Sequence, residues 1–145
     1  MVPPVTSREW EKKVLQSPIP VMVDVWARWC APCRMIAPTI DQASDRYAGQ
    51  LRVLKLDADN NQDILEKYGV RGIPTLLMFR DGELVSRHTG ALPEAGIFSL
   101  IDELLAPPGE HKRRALDLTS LSLTTWLSIG LVLVLVIIGI LQALS

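Results

Sequence analysis

The last 28 residues of the chain, Leu118–Ser145, contain no aspartate, glutamate, lysine or arginine. Within them, Trp126–Leu144 supplies 19 residues that are apolar except for two glycines, one serine and one glutamine. A helix needs about 20 residues, at about 1.5 Å each, to cross a hydrocarbon core of about 30 Å. A helix buried in a globular domain would carry polar residues at helical spacing, yet residues 131–138 are all apolar. The pattern predicts one transmembrane helix.

The charges beside this segment predict its orientation. The basic cluster Lys112–Arg114 lies about a dozen residues before Trp126, and no charged residue follows Trp126. Because lysine and arginine are enriched on cytoplasmic flanks, we expect the N-terminal part of the chain to face the cytoplasm or its organellar equivalent. The longest early uncharged stretch, Val14–Val23, contains two prolines and lacks a cleavage pattern. We therefore expect no signal peptide and an anchor at the C-terminus.

The other 117 residues have the composition of one soluble domain, since removing the tail lowers the apolar fraction from 48% to about 44%. The formal net charge of -1 gives no reason to expect a nucleic-acid partner. Pro107-Pro108-Gly109 cannot continue a helix and begins a linker. We predict a domain at residues 1–106, a linker with proline, glycine and basic residues at 107–117, and the membrane segment at 118–145.

Hydrophobic patterning and turn residues predict an α/β domain whose sheet is covered by helices on both faces. The predicted helices are Ser7–Gln16, Pro32–Tyr47 with a kink at Pro38, Gln62–Tyr68 and Pro93–Leu105, and the predicted strands are Val21–Trp26, Arg52–Asp57, Thr75–Arg80 and Glu83–Thr89. Thr6 and Glu9 have the spacing of a capping box, and Asp81-Gly82 is a strong hairpin signal. This order of elements implies parallel strand pairing first and antiparallel pairing after it.

The only two cysteines, Cys30 and Cys33, are spaced Cys-x-x-Cys at the start of a helix that follows a strand. A zinc site needs four ligands, and the only histidines, His88 and His111, have no ligand-like spacing. A structural disulfide closing so small a loop would constrain the unfolded chain little and is not expected in a cytoplasmic-facing domain. Redox chemistry is favoured, because a helix N-terminus stabilises a thiolate and the second cysteine can reach the first sulfur.

Several segments together resemble the thioredoxin family. Val23–Ala27 followed by Trp29–Pro38 is similar to its active-site segment, and Gly69–Thr75 and Gly90-Ala91 are similar to its other signatures, in the same order and at matching separations. The resemblance covers about residues 5–106. It implies a thioredoxin fold, with a central mixed sheet and the cysteine pair exposed at the end of a strand. It also implies no cofactor beyond the redox-active Cys30–Cys33 disulfide.

The resemblance implies a role for each matching residue. Cys30 corresponds to the exposed nucleophile and Cys33 to the more buried resolving thiol, which breaks the mixed disulfide. Asp24 lies within an apolar strand, where burial should raise its pKa, and it corresponds to the proton acceptor for the resolving thiol. Lys55 corresponds to the lysine that pairs with this aspartate; taken alone, it would be an edge lysine. The predicted docking surface for substrates comprises Trp29, Ala31, Pro32, Gly72, Ile73, Pro74, Gly90 and Ala91.

Pro74 corresponds to the family's cis-proline, which aligns the substrate backbone, although sequence alone would give it the role of a strand-start proline. Several positions depart from the family pattern. Ala31 replaces a glycine between the cysteines, so the family's reduction potential does not carry over. Arg34 keeps a cation where a lysine is common, and Arg28 replaces an acid, which could change partner choice. Pro3-Pro4 weakens the N-terminal edge strand, which we expect to be short or frayed.

These observations predict a membrane-anchored thioredoxin that reduces protein disulfides at the cytoplasmic face of a membrane. Its expected partners are disulfide-containing proteins at or near that membrane and an upstream thiol reductase or other electron donor. One alternative is an accessory subunit of a membrane protein complex that uses the domain for docking. Another is inverted topology, with the domain acting outside the cytoplasm as an oxidase, an isomerase or a cytochrome-maturation reductase.

Overall fold

The computed structural model describes residues 1–107, 138–140 and 142, and the chain divides into two units, Met1–Leu105 and Ala106–Ser145. In the second unit, residues 138–140 and 142 are helical. Among the described residues, no helix is long and apolar enough to cross a membrane. The predicted transmembrane core at 126–144 and the basic cluster at 112–114 lie outside the described residues, apart from 138–140 and 142.

The first unit is built on a five-stranded mixed sheet with the strand order β1-β3-β2-β4-β5. The strands are β1 Pro4–Val5, β2 Val21–Trp26, β3 Arg52–Asp57, β4 Thr75–Arg80 and β5 Glu83–Thr89. Strand β3 pairs in parallel with both β1 and β2, whereas β4 runs antiparallel to β2 and β5. The predicted change from parallel to antiparallel pairing is confirmed, and β2 occupies the centre of the sheet.

Helices cover both faces of this sheet. They are α1 Ser7–Trp10, which continues as a π-helical turn over Glu11–Leu15, α2 Ala31–Arg46, α3 Gln62–Lys67 and α4 Glu94–Leu105. One apolar cluster contains side chains of α1 and α3, and the other contains side chains of α2 and α4. Successive residues of a strand point to opposite faces, so β2, β3 and β4 each contribute to both clusters. The thioredoxin-like α/β architecture is confirmed.

Strand β2 is buried on both faces, which decides the environment of its one acidic residue. Val23 and Val25 pack into the cluster of α1 and α3, whereas Met22 packs into the cluster of α2 and α4. Asp24 therefore points to the same face as Met22, in register with Lys55 on β3 and Leu76 on β4. A carboxylate at this position has no access to solvent along the sheet.

The N-terminal elements differ in detail from their prediction. The first helix ends near the expected residue, but its second half is π-helical, since the Gln16 amide donates to the Glu11 carbonyl at 2.9 Å. The expected capping box is not complete, because the Thr6 hydroxyl donates to the Glu9 carboxylate at 3.2 Å and makes no side-chain bond to the backbone. Strand β1 is two residues long, as its prolines led us to expect.

The β4–β5 hairpin is confirmed, and it contacts the end of the first helix. Asp81 and Gly82 both have positive φ, 53° and 80°, as a type I′ turn requires. A Cβ atom at Gly82 would lie 2.6 Å from the carbonyl oxygen of Leu15. Glycine is therefore required at this position by its backbone conformation and by its close neighbour.

Helix α2 continues through Pro38, and a 3-10 turn at Ala58–Asn60 was not predicted.

Candidate active site at the Cys30–Cys33 pair

The two cysteines lie where the central strand β2 passes into helix α2. Cys30 is the N-cap residue of α2, Cys33 lies in its first turn, and the two form a disulfide with an S–S distance of 2.04 Å. The Cys33 amide donates to the Cys30 sulfur at 3.2 Å. The first-turn amides of a helix have no carbonyl partners within the helix, so they favour negative charge at this sulfur. The geometry therefore suits Cys30 to be the thiolate nucleophile when the disulfide is reduced.

The expected difference in exposure between the two cysteines is absent from this disulfide form. Cys30 is 3% exposed and Cys33 is 2% exposed, and both pack in the apolar cluster on the α1 and α3 face. The bond between their sulfurs holds both side chains against the end of β2. Exposure is instead high at neighbouring side chains, with Trp29 68% and Met35 77% exposed. Position at the helix N-terminus, rather than exposure, distinguishes the predicted nucleophile.

The Trp29 ring is exposed but fixed by a residue that sequence reasoning missed. Its indole Nε1 lies 3.2 Å and 3.1 Å from the two carboxylate oxygens of Asp59, which follows β3. Asp59 is itself oriented by its backbone amide, which donates to Asp57 at 3.0 Å. The run of polar residues at the carboxyl end of β3, next to β2, was the available signal. Ala31 and Pro32, also predicted to contact substrate, follow Trp29 closely in the sequence, and both are exposed.

A second loop brings together most of the other predicted docking residues. The Ile73–Pro74 peptide bond is cis, as the resemblance implied, and Ile73 packs against the cluster that contains both cysteines. The Gly90 amide donates to the Pro74 carbonyl at 2.8 Å. Thr75, which was not predicted, donates its hydroxyl to the Gly72 carbonyl at 2.7 Å. Ala91, the last predicted docking residue, is exposed directly after Gly90.

Asp24 is a buried carboxyl group with an unsatisfied oxygen. It is 1% exposed, and its Oδ1 has no hydrogen-bond partner among the described residues. Burial raises the pKa of Asp24 from 3.8 to about 6, and the positive charge of Lys55 partly opposes this rise. The expected increase in pKa is confirmed. A carboxyl group that titrates near neutral pH can accept and release a proton there, so the predicted role has the required acidity.

Lys55 influences Asp24 without forming the direct pair that the resemblance implied. The two residues are in register on adjacent strands, but their charged atoms are not within 4.0 Å of each other in the described part of the chain. Lys55 is half-buried and lines a cleft of about 660 Å3 with Asp41, Asp57 and Trp26.

The described residues contain no group of three or more Cys, His, Asp or Glu side chains placed to hold a metal ion. The site is instead a redox-active disulfide at the N-terminus of a helix, next to a cis-proline loop on a mixed sheet. This combination defines a thiol–disulfide exchange protein with a thioredoxin-like fold.

Comparison with known proteins identifies the family. The thioredoxin family model matches residues 1–103. Over 98 residues the chain is 48% identical to a thioredoxin of Pseudomonas aeruginosa, covering 68% of this chain and 91% of that protein. Over 101 residues it is 43% identical to thioredoxin 1 of Synechococcus elongatus, covering 70% and 94%. It is also 42% identical over 103 residues to a chloroplastic M-type thioredoxin of Spinacia oleracea, covering 71% and 57%.

The chain belongs to the thioredoxin family, and it is a protein-disulfide reductase of the thioredoxin type. Its redox-active group is the Cys30–Cys33 pair, and no further cofactor is needed. The family implies disulfide-containing substrate proteins and a reductase that returns the pair to the dithiol state.

Proposed function

We propose that this chain is a single-pass membrane protein that reduces protein disulfides at the cytoplasmic face of a membrane or at its organellar equivalent. One observation carries the proposal: the uncharged apolar run Trp126–Leu144 follows the basic cluster Lys112–Arg114. Residues 104–145 lie beyond the region that the family model matches. The proposed anchor is therefore an addition to the catalytic domain rather than a part of it.

Anchoring would change which disulfides the domain meets. A tethered domain has a high effective concentration towards groups within reach of its linker and a low one towards distant soluble proteins. The proposed targets are therefore disulfide-containing proteins in or beside the same membrane. The electron donor must likewise reach the domain at the membrane surface.

In the proposed cycle, the Cys30 thiolate attacks one sulfur of the target disulfide and releases the other as a thiolate. Cys33 then attacks the Cys30 sulfur, so the target leaves with both sulfurs reduced and the Cys30–Cys33 disulfide forms. Cys33 must lose its proton before it can attack. Asp24, with a pKa of about 6, is the proposed proton acceptor, and Lys55 is proposed to keep that pKa from rising further.

Sealed membrane vesicles of known orientation, prepared from cells that express the full chain, test the anchor and its orientation together. We expect the chain to remain in the membrane pellet after a carbonate wash. A protease on the cytoplasmic side should digest the domain and leave a short apolar fragment. Val134→Arg places a charge within the apolar run at a cost of about 2.5–3.5 kcal/mol, so it should release part of the chain, whereas Val134→Leu should not.

Two outcomes would contradict this proposal separately. Release of the wild-type chain by carbonate would contradict the anchor. Protection of the domain from protease until the vesicles are lysed would contradict the cytoplasmic orientation and favour the oxidase or maturation role. Neither outcome would affect the assignment of the domain to the thioredoxin family.

A further inference from the structure

Two arginines flank the disulfide on the surface of the domain. Arg28 lies two residues before Cys30, Arg34 directly follows Cys33, and both side chains are exposed. The guanidinium Nη1 of Arg34 donates to the backbone carbonyl of Arg28 at 3.0 Å. The side chain of Arg34 therefore reaches back from helix α2 to the loop that carries Cys30. This bond holds one guanidinium group beside the loop instead of leaving it free to move in solvent.

Neither arginine is neutralised by the described part of the domain. No carboxylate oxygen of the described residues lies within 4.0 Å of either guanidinium group. A guanidinium group has five N–H donors, and the bond to Arg28 uses one of those on Arg34. Asp59, the acidic residue that contacts this loop, is engaged by the Trp29 indole. The loop thus presents two unpaired positive charges with free donors next to the redox-active pair.

The chemistry of these two groups indicates what they would recognise. A planar guanidinium binds a carboxylate through two parallel N–H donors, with a geometry that an ammonium group does not provide. Trp29 and Met35, in the same stretch of chain, have exposed apolar surfaces that a bound target could cover. These surfaces do not favour either sign of charge on the target. Charge complementarity at the edge of such a surface controls partner choice and association rate more than total affinity.

We propose that Arg28 and Arg34 are specificity-determining residues that select target polypeptides with aspartate or glutamate next to the disulfide to be reduced. The carboxylates of the target contact the free N–H donors of the two guanidinium groups while its disulfide faces the Cys30 thiolate. This inference rests on the disulfide-reductase activity of the domain and is independent of membrane anchoring. It concerns association before the first thiol–disulfide exchange, and the exchange itself is unchanged.

Reduction of matched synthetic peptides tests the inference. Each peptide has the same length and one internal disulfide, flanked in turn by two glutamates, two glutamines or two lysines. The full chain in a non-ionic detergent is reduced with dithiothreitol, freed of it, and mixed with each peptide at low ionic strength. We expect the second-order rate constant to be about 3- to 10-fold higher for the glutamate peptide than for the lysine peptide. In 1 M NaCl, where the Debye length falls to about 3 Å, the ratio should approach one.

Variants separate charge recognition from effects on thiol reactivity. Arg28→Glu and Arg34→Glu should each lower the glutamate-to-lysine rate ratio at least about 2-fold, whereas Arg28→Lys, which keeps the charge but not the paired N–H donors, should lower it less. Lys12→Glu makes the same change in net charge at an exposed position in the first helix, and it should leave the ratio unchanged. Because a cation near a thiol also changes its pKa, the ratio between peptides is the readout, since effects on Cys30 itself cancel in it.

Three results would overturn the inference. The first is a glutamate-to-lysine rate ratio near one for the wild-type chain at low salt. The second is a ratio that stays high in 1 M NaCl. The third is a decrease of this ratio in Lys12→Glu as large as that in the arginine variants. A variant that reduces none of the three peptides would have a damaged active site. Arg28→Lys, which keeps the positive charge, then shows whether a change at residue 28 causes such damage without loss of charge.

Discussion

Replacing Asp24 by asparagine should change how the stability of the domain depends on pH. The pKa of Asp24 is 3.8 in its unperturbed state and about 6 in the folded domain, so the folded state binds the proton more tightly than the unfolded chain. Stability therefore falls as pH rises from about 4 to above 6, and it reaches a plateau when the buried group is ionised. At about 1.36 kcal/mol per pKa unit, the cost at pH 7.5 is about 3 kcal/mol.

Asparagine is nearly isosteric with aspartate but cannot ionise, so the variant lacks this cost. The stability difference between Asp24→Asn and wild type should therefore increase by about 3 kcal/mol between pH 3.5 and pH 7.5. Guanidinium denaturation of the oxidised full chain in a non-ionic detergent, followed by tryptophan fluorescence, measures this difference. The oxidised form is required, because cysteines in a disulfide do not titrate. A difference that stays within about 1 kcal/mol across this range would refute the assignment of a raised pKa to Asp24.

Three further variants test other contacts. Gly82→Ala should lower the free energy of unfolding by about 1–3 kcal/mol more than Gly49→Ala. Both glycines have positive φ, but only at Gly82 would a Cβ atom lie against the Leu15 carbonyl. Urea denaturation measures the difference, and equal losses would contradict the clash. Asn61→Ala removes a buried side chain that accepts two hydrogen bonds and donates one, so it should cost about 1–3 kcal/mol in the same assay. Cys33→Ser should accumulate mixed disulfides with targets, visible on non-reducing gels, because no resolving thiol remains; their absence would contradict the assigned order of attack.

Much of the fold could be predicted because burial and turn chemistry are local in the sequence. Strand β2 has an uninterrupted apolar pattern apart from Asp24, which is typical of a strand covered on both faces, and its bounds agree with the prediction. The Asp81-Gly82 turn was equally clear, since few dipeptides accept positive φ at both positions. The π-helical turn over Glu11–Leu15 left no such signal in the sequence.

The site could be predicted only in part, for a different reason. The cysteines are neighbours in sequence, so their spacing was informative, whereas Asp59 and Thr75 act on residues that are distant along the chain. Asp59 holds a tryptophan 30 positions away, and Thr75 contacts Thr89 through a pairing that only the sheet creates. The low exposure of Cys30 also depends on side chains from several elements. Such contacts require knowledge of the tertiary structure.

The hydrogen bond from the Gly90 amide to the Pro74 carbonyl has a consequence for the newly made chain. During synthesis the cysteine pair leaves the ribosome well before residues 74–90, which form the opposite side of the docking surface. Until β4 pairs with β2, the two thiols have no proline loop beside them. A nascent chain at this stage contains both cysteines but lacks the part of the predicted docking surface at Pro74 and Gly90. The complete docking surface therefore forms only after both parts of the chain have been made and β4 has paired with β2, whereas the Cys30 and Cys33 spacing is present earlier.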